Sequence, residues 1–135
     1  MPMQAKGEFT MQTWDEQPYE EFEGGGKLTR AHVTNAFRGD IEGRSTLESL
    51  LAYRDDDYAC FVGIERVTGR VGERSGSFVL QHRGTWDDGV VTAAWFVVMG
   101  KATGELSGLR GEGGYLWDGS HDRHTTPFTL EYDVE

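Results

Sequence analysis

The sequence predicts an all-β protein, a closed antiparallel barrel of eight strands, and three observations carry that expectation. Turn chemistry recurs at regular spacing: Gly39-Asp40, Asp55-Asp56-Asp57, Gly72-Glu73 and Asp87-Asp88-Gly89 separate runs of about ten residues rich in Val, Thr, Phe, Tyr and Leu. Apolar residues at helical spacing are nearly absent. Eight successive strands in an open sheet would leave two long unpaired edges, and closure removes them. A ring of that size is wide enough to be filled by side chains or to hold one small ligand.

The elements follow in order along a single domain, residues 1–135. Residues 3–14 read as a first strand, with Phe9 and Met11 in one phase and Thr10 in the other. The acidic stretch Asp15–Glu23 and the run Gly24-Gly25-Gly26 separate it from the next. Three glycines can cradle a phosphate, but no helix with Lys-Ser/Thr follows, so a hinge or bulge is the expectation. Further strands are expected at 27–38, 41–54, 58–71, 74–85 and 90–99. The segment from Gly104 to Gly111 is too rich in glycine for a long helix and reads as one short helical turn. Two last strands, near 112–117 and 127–134, complete the count.

Composition bounds the function classes. The 135 residues are 37% hydrophobic, with four Trp, five Tyr and seven Phe, enough for one real core. A net charge of −10 without a Lys/Arg cluster argues against nucleic acid, whose phosphates require a positive stripe. The lone Cys60 cannot form an internal disulfide, the stretch Met1 to Lys6 is not apolar, and no run is long enough to span a bilayer as a helix. These features predict a cytoplasmic protein that does not engage membranes.

Turn arithmetic predicts which side chains share the interior. A two-residue turn at Gly72-Glu73 sets Val67 opposite Phe78, Glu65 opposite Leu80 and Gly63 opposite His82. A turn at Asp88-Gly89 then sets Trp95 opposite His82 and Val97 opposite Leu80. A turn at Asp56-Asp57 sets Glu48 opposite Glu65 and Ala52 opposite Phe61. One at Gly39-Asp40 adds Ala31, Val33, Asn35 and Phe37 to that face. A three-residue turn with a bulge would reverse the phase. The opposite face carries Leu47, Leu51, Tyr53, Val62, Ile64, Val79, Phe96 and Val98. A sheet that is apolar on both sides is normally covered on both, which predicts a homo-oligomer packing through its outer strand faces.

The candidate ligand-binding residues are therefore Glu48, Glu65, His82, Trp95, Asn35, Phe61 and Phe78. Two carboxylates side by side on a half-apolar wall cannot both ionise easily, and His82 is placed to serve as their counter-ion or proton partner. Such a group can anchor a ligand, can act as an acid–base pair on an apolar substrate, or can be a satisfied polar cluster in a filled core. The expected function is binding of a small hydrophobic metabolite. A cofactor-free isomerase or cyclase, and a structural or interaction protein, are the alternatives. No metal and no cofactor are expected: His121 and His124 with Asp118 or Asp122 lie in a loop without the three or four ligands at defined spacing that zinc needs. No G-x-S-x-G elbow occurs.

Several motifs together are also familiar: Gly26-Lys-Leu-Thr-Arg-Ala31, Gly39-Asp-Ile-Glu-Gly43, Ala52-Tyr-Arg-Asp-Asp56, Phe61-Val-Gly-Ile-Glu-Arg66, Gly76-Ser-Phe-Val-Leu-Gln-His82 and Thr103-Gly-Glu-Leu-Ser-Gly-Leu-Arg-Gly-Glu-Gly113. Over nearly the whole chain this pattern resembles a family of small bacterial proteins grouped as a domain of unknown function, with a β-barrel similar to allene oxide cyclase. The stretch Thr103 to Gly111 also resembles the segment before a late strand in allene oxide cyclases and dirigent proteins. The resemblance implies the eight-stranded barrel. It also implies an apolar reactive intermediate held inside, with its ring closure or coupling steered without a cofactor. No cyclase residue is matched position by position.

Overall fold

In the computed structural model, which describes residues 2–119 and 124–135, every regular element is a β-strand. The strands are β1 (Met3–Glu21), β2 (Lys27–Gly39), β3 (Ile41–Asp55), β4 (Tyr58–Val71), β5 (Arg74–Asp87), β6 (Val90–Val97), β7 (Thr103–Gly104), β8 (Leu109–Trp117) and β9 (Thr125–Val134). They form one antiparallel nine-stranded sheet in the order β4-β3-β2-β1-β9-β8-β6-β5-β7. An additional pairing of β4 with β5 closes this sheet into a ring. Among the described residues, no helix is long and apolar enough to cross a membrane.

The count is nine rather than eight because β6 is interrupted. After Val97 the chain leaves the sheet, then returns as the two residues of β7, which pair with Gly76 and Ser77 further along β5. The expected helical turn after it does not form. Residues 103–109 make separate turns instead, with Leu106 N–H donating to Thr103 O, Ser107 N–H to Gly104 O and Leu109 N–H to Leu106 O. Gly108, at φ +86°, breaks the right-handed repeat a helix would need. These turns carry the fully buried Leu106 into the core, so the segment plugs one end of the ring.

β1 is longer than the sequence suggested. It runs through the acidic stretch to Glu21 by way of two irregularities, between Met11 and Thr13 and between Pro18 and Glu20. Beyond Thr10 its ladder among the described residues runs with β2, apart from Met11 N–H donating to His124 O at 2.9 Å. An edge strand tolerates Pro18 and a row of charges because its outward N–H groups need no ladder partner. Gly24, Gly25 and Gly26, all at positive φ, make the β1–β2 turn where a hinge or bulge was expected.

The register around β4, β5 and β6 is the one the turns predicted: Val67 faces Phe78, Glu65 faces Leu80, Gly63 faces His82 and Trp95 faces His82. β3 is not. An extra residue, Arg54, sits between the pairs Tyr53–Ala59 and Asp55–Tyr58. The bulge reverses the phase of the strand, so Leu47 rather than Glu48 opposes Glu65. The β2–β3 turn is off by one residue as well, with Asn35 facing Ser45. The two offsets cancel at β2, where Ala31, Val33, Asn35 and Phe37 face inward as expected. Leu47, Leu51 and Tyr53 accordingly belong to the inner face rather than the outer one.

The core occupies the end of the ring near the β2–β3 and β4–β5 turns. Ile41, Val67, Val71, Phe78, Leu80, Val97, Leu106, Leu109 and Leu130 are all buried there. Across β3, β4, β5 and β7 the same end carries four glycines in register, Gly43 facing Gly69, Gly69 facing Gly76 and Gly76 facing Gly104. At this row, carbonyl oxygens of neighbouring strands come where a Cβ would otherwise sit.

Candidate functional site

At mid-height of the ring, five polar side chains from five strands join into one hydrogen-bonded chain. Glu65 on β4 is its centre and is fully buried. One carboxylate oxygen accepts from Asn35 Nδ2 on β2 at 3.0 Å and from Ser45 Oγ on β3. The other lies 2.7 Å from His82 Nε2 on β5. His82 Nδ1 is in turn 2.7 Å from the hydroxyl of Tyr115 on β8. Asn35, Ser45, Glu65 and His82 are buried, while Tyr115 is only partly so.

The chain is electrostatically self-consistent. Burial alone pushes the Glu65 carboxyl up. The hydrogen bond and charge of His82, with the Ser45 and Asn35 donors, outweigh it and hold the group below the usual carboxylate range. The Tyr115 phenol is pushed up, first by burial and then by the nearby Glu65 charge, so it stays protonated at any ordinary pH.

Aromatic rings surround the chain. Trp95 stands edge-on to His82 at 5.2 Å, packs against Tyr115 at 5.0 Å and Phe128 at 5.6 Å, and donates its indole N–H to Thr129 O. Phe9 meets the Tyr115 ring edge-on at 5.1 Å and Phe37 at 5.5 Å. These offset and edge-on contacts, each contributing about 0.5–1.5 kcal/mol beyond simple burial, fix the orientation of both Trp95 and Tyr115.

Of the seven residues chosen from sequence, six face the interior: Asn35, Phe61, Glu65, Phe78, His82 and Trp95. Asn35, Glu65, His82 and Trp95 come together. Phe78 makes no hydrogen-bonding contribution and is buried in the core cluster that also contains Trp95, and Phe61 is half buried. Glu48 is the exception and corrects the expectation of a carboxylate pair. It points outward from β3, where Arg30 and His32 bind its two oxygens at 3.0 Å. The Arg30 hydrogen bond, with help from His32, holds the Glu48 carboxyl below its ordinary range. Ser45 replaces it beside Glu65.

Sequence reading missed Ser45 and Tyr115. The Arg54 bulge hid the first. Tyr115 was within reach of the turn arithmetic only through the irregular segment between β6 and β8, where no short turn fixes the phase. Of the loop residues considered for metal, His121 and Asp122 lie outside the described residues, and no cluster of possible ligands occurs among those described. Shallow grooves on the outer surface, one lined by Arg66, Arg70, Ser75, Ser77 and Thr103, do not reach the buried chain.

Comparison with known proteins fits this architecture. The pattern of the family described as "Protein of unknown function (DUF3224)" matches residues 5–132. The chain belongs to that family. A solved structure of a DUF3224 protein of unknown function from Shewanella oneidensis MR-1 is 31% identical, with a TM-score of 0.79 over 100% of this chain and 98% of the other. No curated protein matches. Membership thus gives the all-β fold and leaves the activity to be argued from the side chains.

Proposed function

We propose that this protein binds a small, largely apolar molecule in the open half of its ring. The observation that carries this reading is the contrast between the two ends. Inward-facing residues near the β4–β5 turn are sealed, whereas Leu47, Phe61, Trp86, Val91, Tyr115 and Trp117, which also face inward, are only partly buried. Large apolar side chains on the concave face of a sheet that remain within reach of solvent form a cup, and such walls with few polar groups are the usual composition of a small-molecule site. The buried Tyr115–His82–Glu65 chain lies beneath it. The resemblance to allene oxide cyclases and dirigent proteins supports the same reading, because those proteins hold an apolar intermediate inside a barrel.

Titration with the neutral fluorophore N-phenyl-1-naphthylamine tests the cup. Saturable uptake at one site per chain is expected, and Val91→Trp, which fills the wall, is expected to weaken it at least about tenfold. Uptake that never saturates, or that is indifferent to Val91→Trp, would remove the reading.

The outer surface supports a second element of the proposal, self-association. Leu50, Val62, Ile64 and Phe96 are between 45% and 49% exposed, and the register sets Leu50 directly beside Val62, with Gln81 of β5 lying between Ile64 and Phe96. A second copy packed there would cover them. Sedimentation is expected to give a mass above the 15.1 kDa chain, and Val62→Asp with Ile64→Asp to return it to that value. A wild type that sediments as the single chain at micromolar concentration would discard this element.

A further inference from the structure

We propose that self-association joins two different surfaces of the chain. The acidic, aromatic margin at the β1–β2 turn of one copy docks on the arginine-flanked apolar patch of another. This rests on the self-association element above and names the surface that the patch fits.

The rows of the sheet define the patch. Across β2, β3, β4 and β5 the register runs Arg30, Leu50, Val62, Arg83, so two half-exposed apolar residues lie between two arginines. The next row sets Ile64 between Glu48 and Gln81, and Arg66 follows two residues on along β4. Three guanidinium groups therefore border the patch against the one carboxylate of Glu48, which Arg30 and His32 already share. Arg66 donates to Ser77 Oγ, and neither it nor Arg83 has a carboxylate within ion-pair distance among the described residues. This is a positive surface on a molecule whose net charge is −10. Two such surfaces laid face to face set like charges together, which opposes the apolar gain.

The opposite character is found at the margin of the sheet. From Gly7 to Gly26 the chain holds six carboxylates and no Lys or Arg. Among them stand Tyr19, 59% exposed, and Phe22, 51% exposed. Tyr19 is the residue left out of the ladder between Pro18 and Glu20, and Phe22 lies in the turn, its N–H donating to Gly26 O.

Each surface supplies what the other lacks. The margin offers two aromatic groups flanked by carboxylates, and the patch offers aliphatic side chains flanked by guanidinium groups. Aromatic anchors on an apolar centre with a charged rim are the anatomy of a specific interface. The same contact covers both exposed regions at once, whereas patch on patch leaves Tyr19 and Phe22 in water.

Sedimentation of the wild type, of Tyr19→Ser with Phe22→Ser, and of Val62→Asp with Ile64→Asp tests the pairing. The wild type is expected to associate, and each double variant to sediment as the single 15.1 kDa chain. An equimolar mixture of the two variants should regain a two-chain species, because one brings an intact patch and the other an intact margin. Raising NaCl from about 50 mM to about 500 mM should weaken the wild-type association at least about tenfold, since opposite charges at the contact are screened. Three results overturn the pairing while leaving self-association in place: a margin variant that associates like the wild type, a mixture that stays single-chain, or association that strengthens with salt. A wild type that sediments as the single chain overturns both. Should the margin variant fail to fold, Glu20→Lys with Glu21→Lys takes its place, with the same loss expected and its absence equally fatal.

Discussion

Replacing Glu65 by leucine is expected to destabilise the fold by about 3–5 kcal/mol, the usual cost of removing one partner from a buried ion pair. In a domain of this size that lowers Tm on the order of 10–20 °C. The loss has little to do with the carboxylate's own attraction for the ring. Three donors, from Asn35, Ser45 and His82, converge on it in the dry interior, and each would be left facing a methyl group. The double variant Glu65→Leu with His82→Leu separates the two contributions. Removing both side chains at once deletes their shared hydrogen bond from both sides and strands neither partner, so the double loss should be smaller than the sum of the single losses by about 2–3 kcal/mol. Simple additivity in urea unfolding would show that the two side chains do not act as a unit.

Glu65→Gln carries the pH signature of the same group. The folded carboxyl lies below its ordinary value of 4.5, so the stability it contributes is fully present above that value and is lost as pH falls through the folded-state value. Urea midpoints should therefore differ most between wild type and Glu65→Gln at neutral pH and converge in acid. A gap that widens as pH falls would mean that burial wins and that the carboxyl is raised instead.

The legibility of this site in the sequence follows the turns. Where two strands are joined by a tight pair such as Gly72-Glu73, the phase of both is fixed, and Glu65, Phe78, Leu80 and His82 could be placed from residue counting alone. Where an acidic run such as Asp55-Asp56-Asp57 leaves the turn length open, one bulged residue sufficed to exchange Glu48 for Leu47 and Ser45. The bulge has a local cause that the residue types do not announce. The Asp55 side chain accepts from the Asp57 N–H at 2.8 Å and Arg54 pairs with Asp55, which holds the extra residue out of the ladder. Across the β6–β8 connection no turn chemistry constrains the phase at all, and Tyr115 was lost there. The ring itself was legible because it depends on strand count and edge avoidance rather than on any single register.

Gly69→Ala is expected to cost about 3–5 kcal/mol, out of scale with the removal of two hydrogens, because backbone strain and overpacking act together there. Gly69 sits at φ +159°, and a Cβ on it would lie 2.0 Å from Glu42 O and 2.7 Å from Gly43 Cα, both backbone atoms that cannot swing aside. Its neighbours in the row repeat the condition: a Cβ on Gly43 would meet Thr68 O at 2.2 Å, and one on Gly76 would meet Thr103 O at 2.0 Å. Side by side, these glycines let adjacent strands approach closely. The close approach has a consequence for the sealed end. Gly76 is where β7 pairs with β5, and the turn that follows β7 places Leu106 in the core. Gly76→Ala should therefore push β7 off the sheet, withdraw Leu106 and expose the sealed end, so amides around Gly76 and Ser77 would exchange faster than those near Glu65. Gly89→Ala is the control, since Gly89 has positive φ but nothing within 4 Å, and it should cost only about 1–2 kcal/mol. If Gly69→Ala were no more damaging than Gly89→Ala, close strand approach would not be what closes this end of the ring.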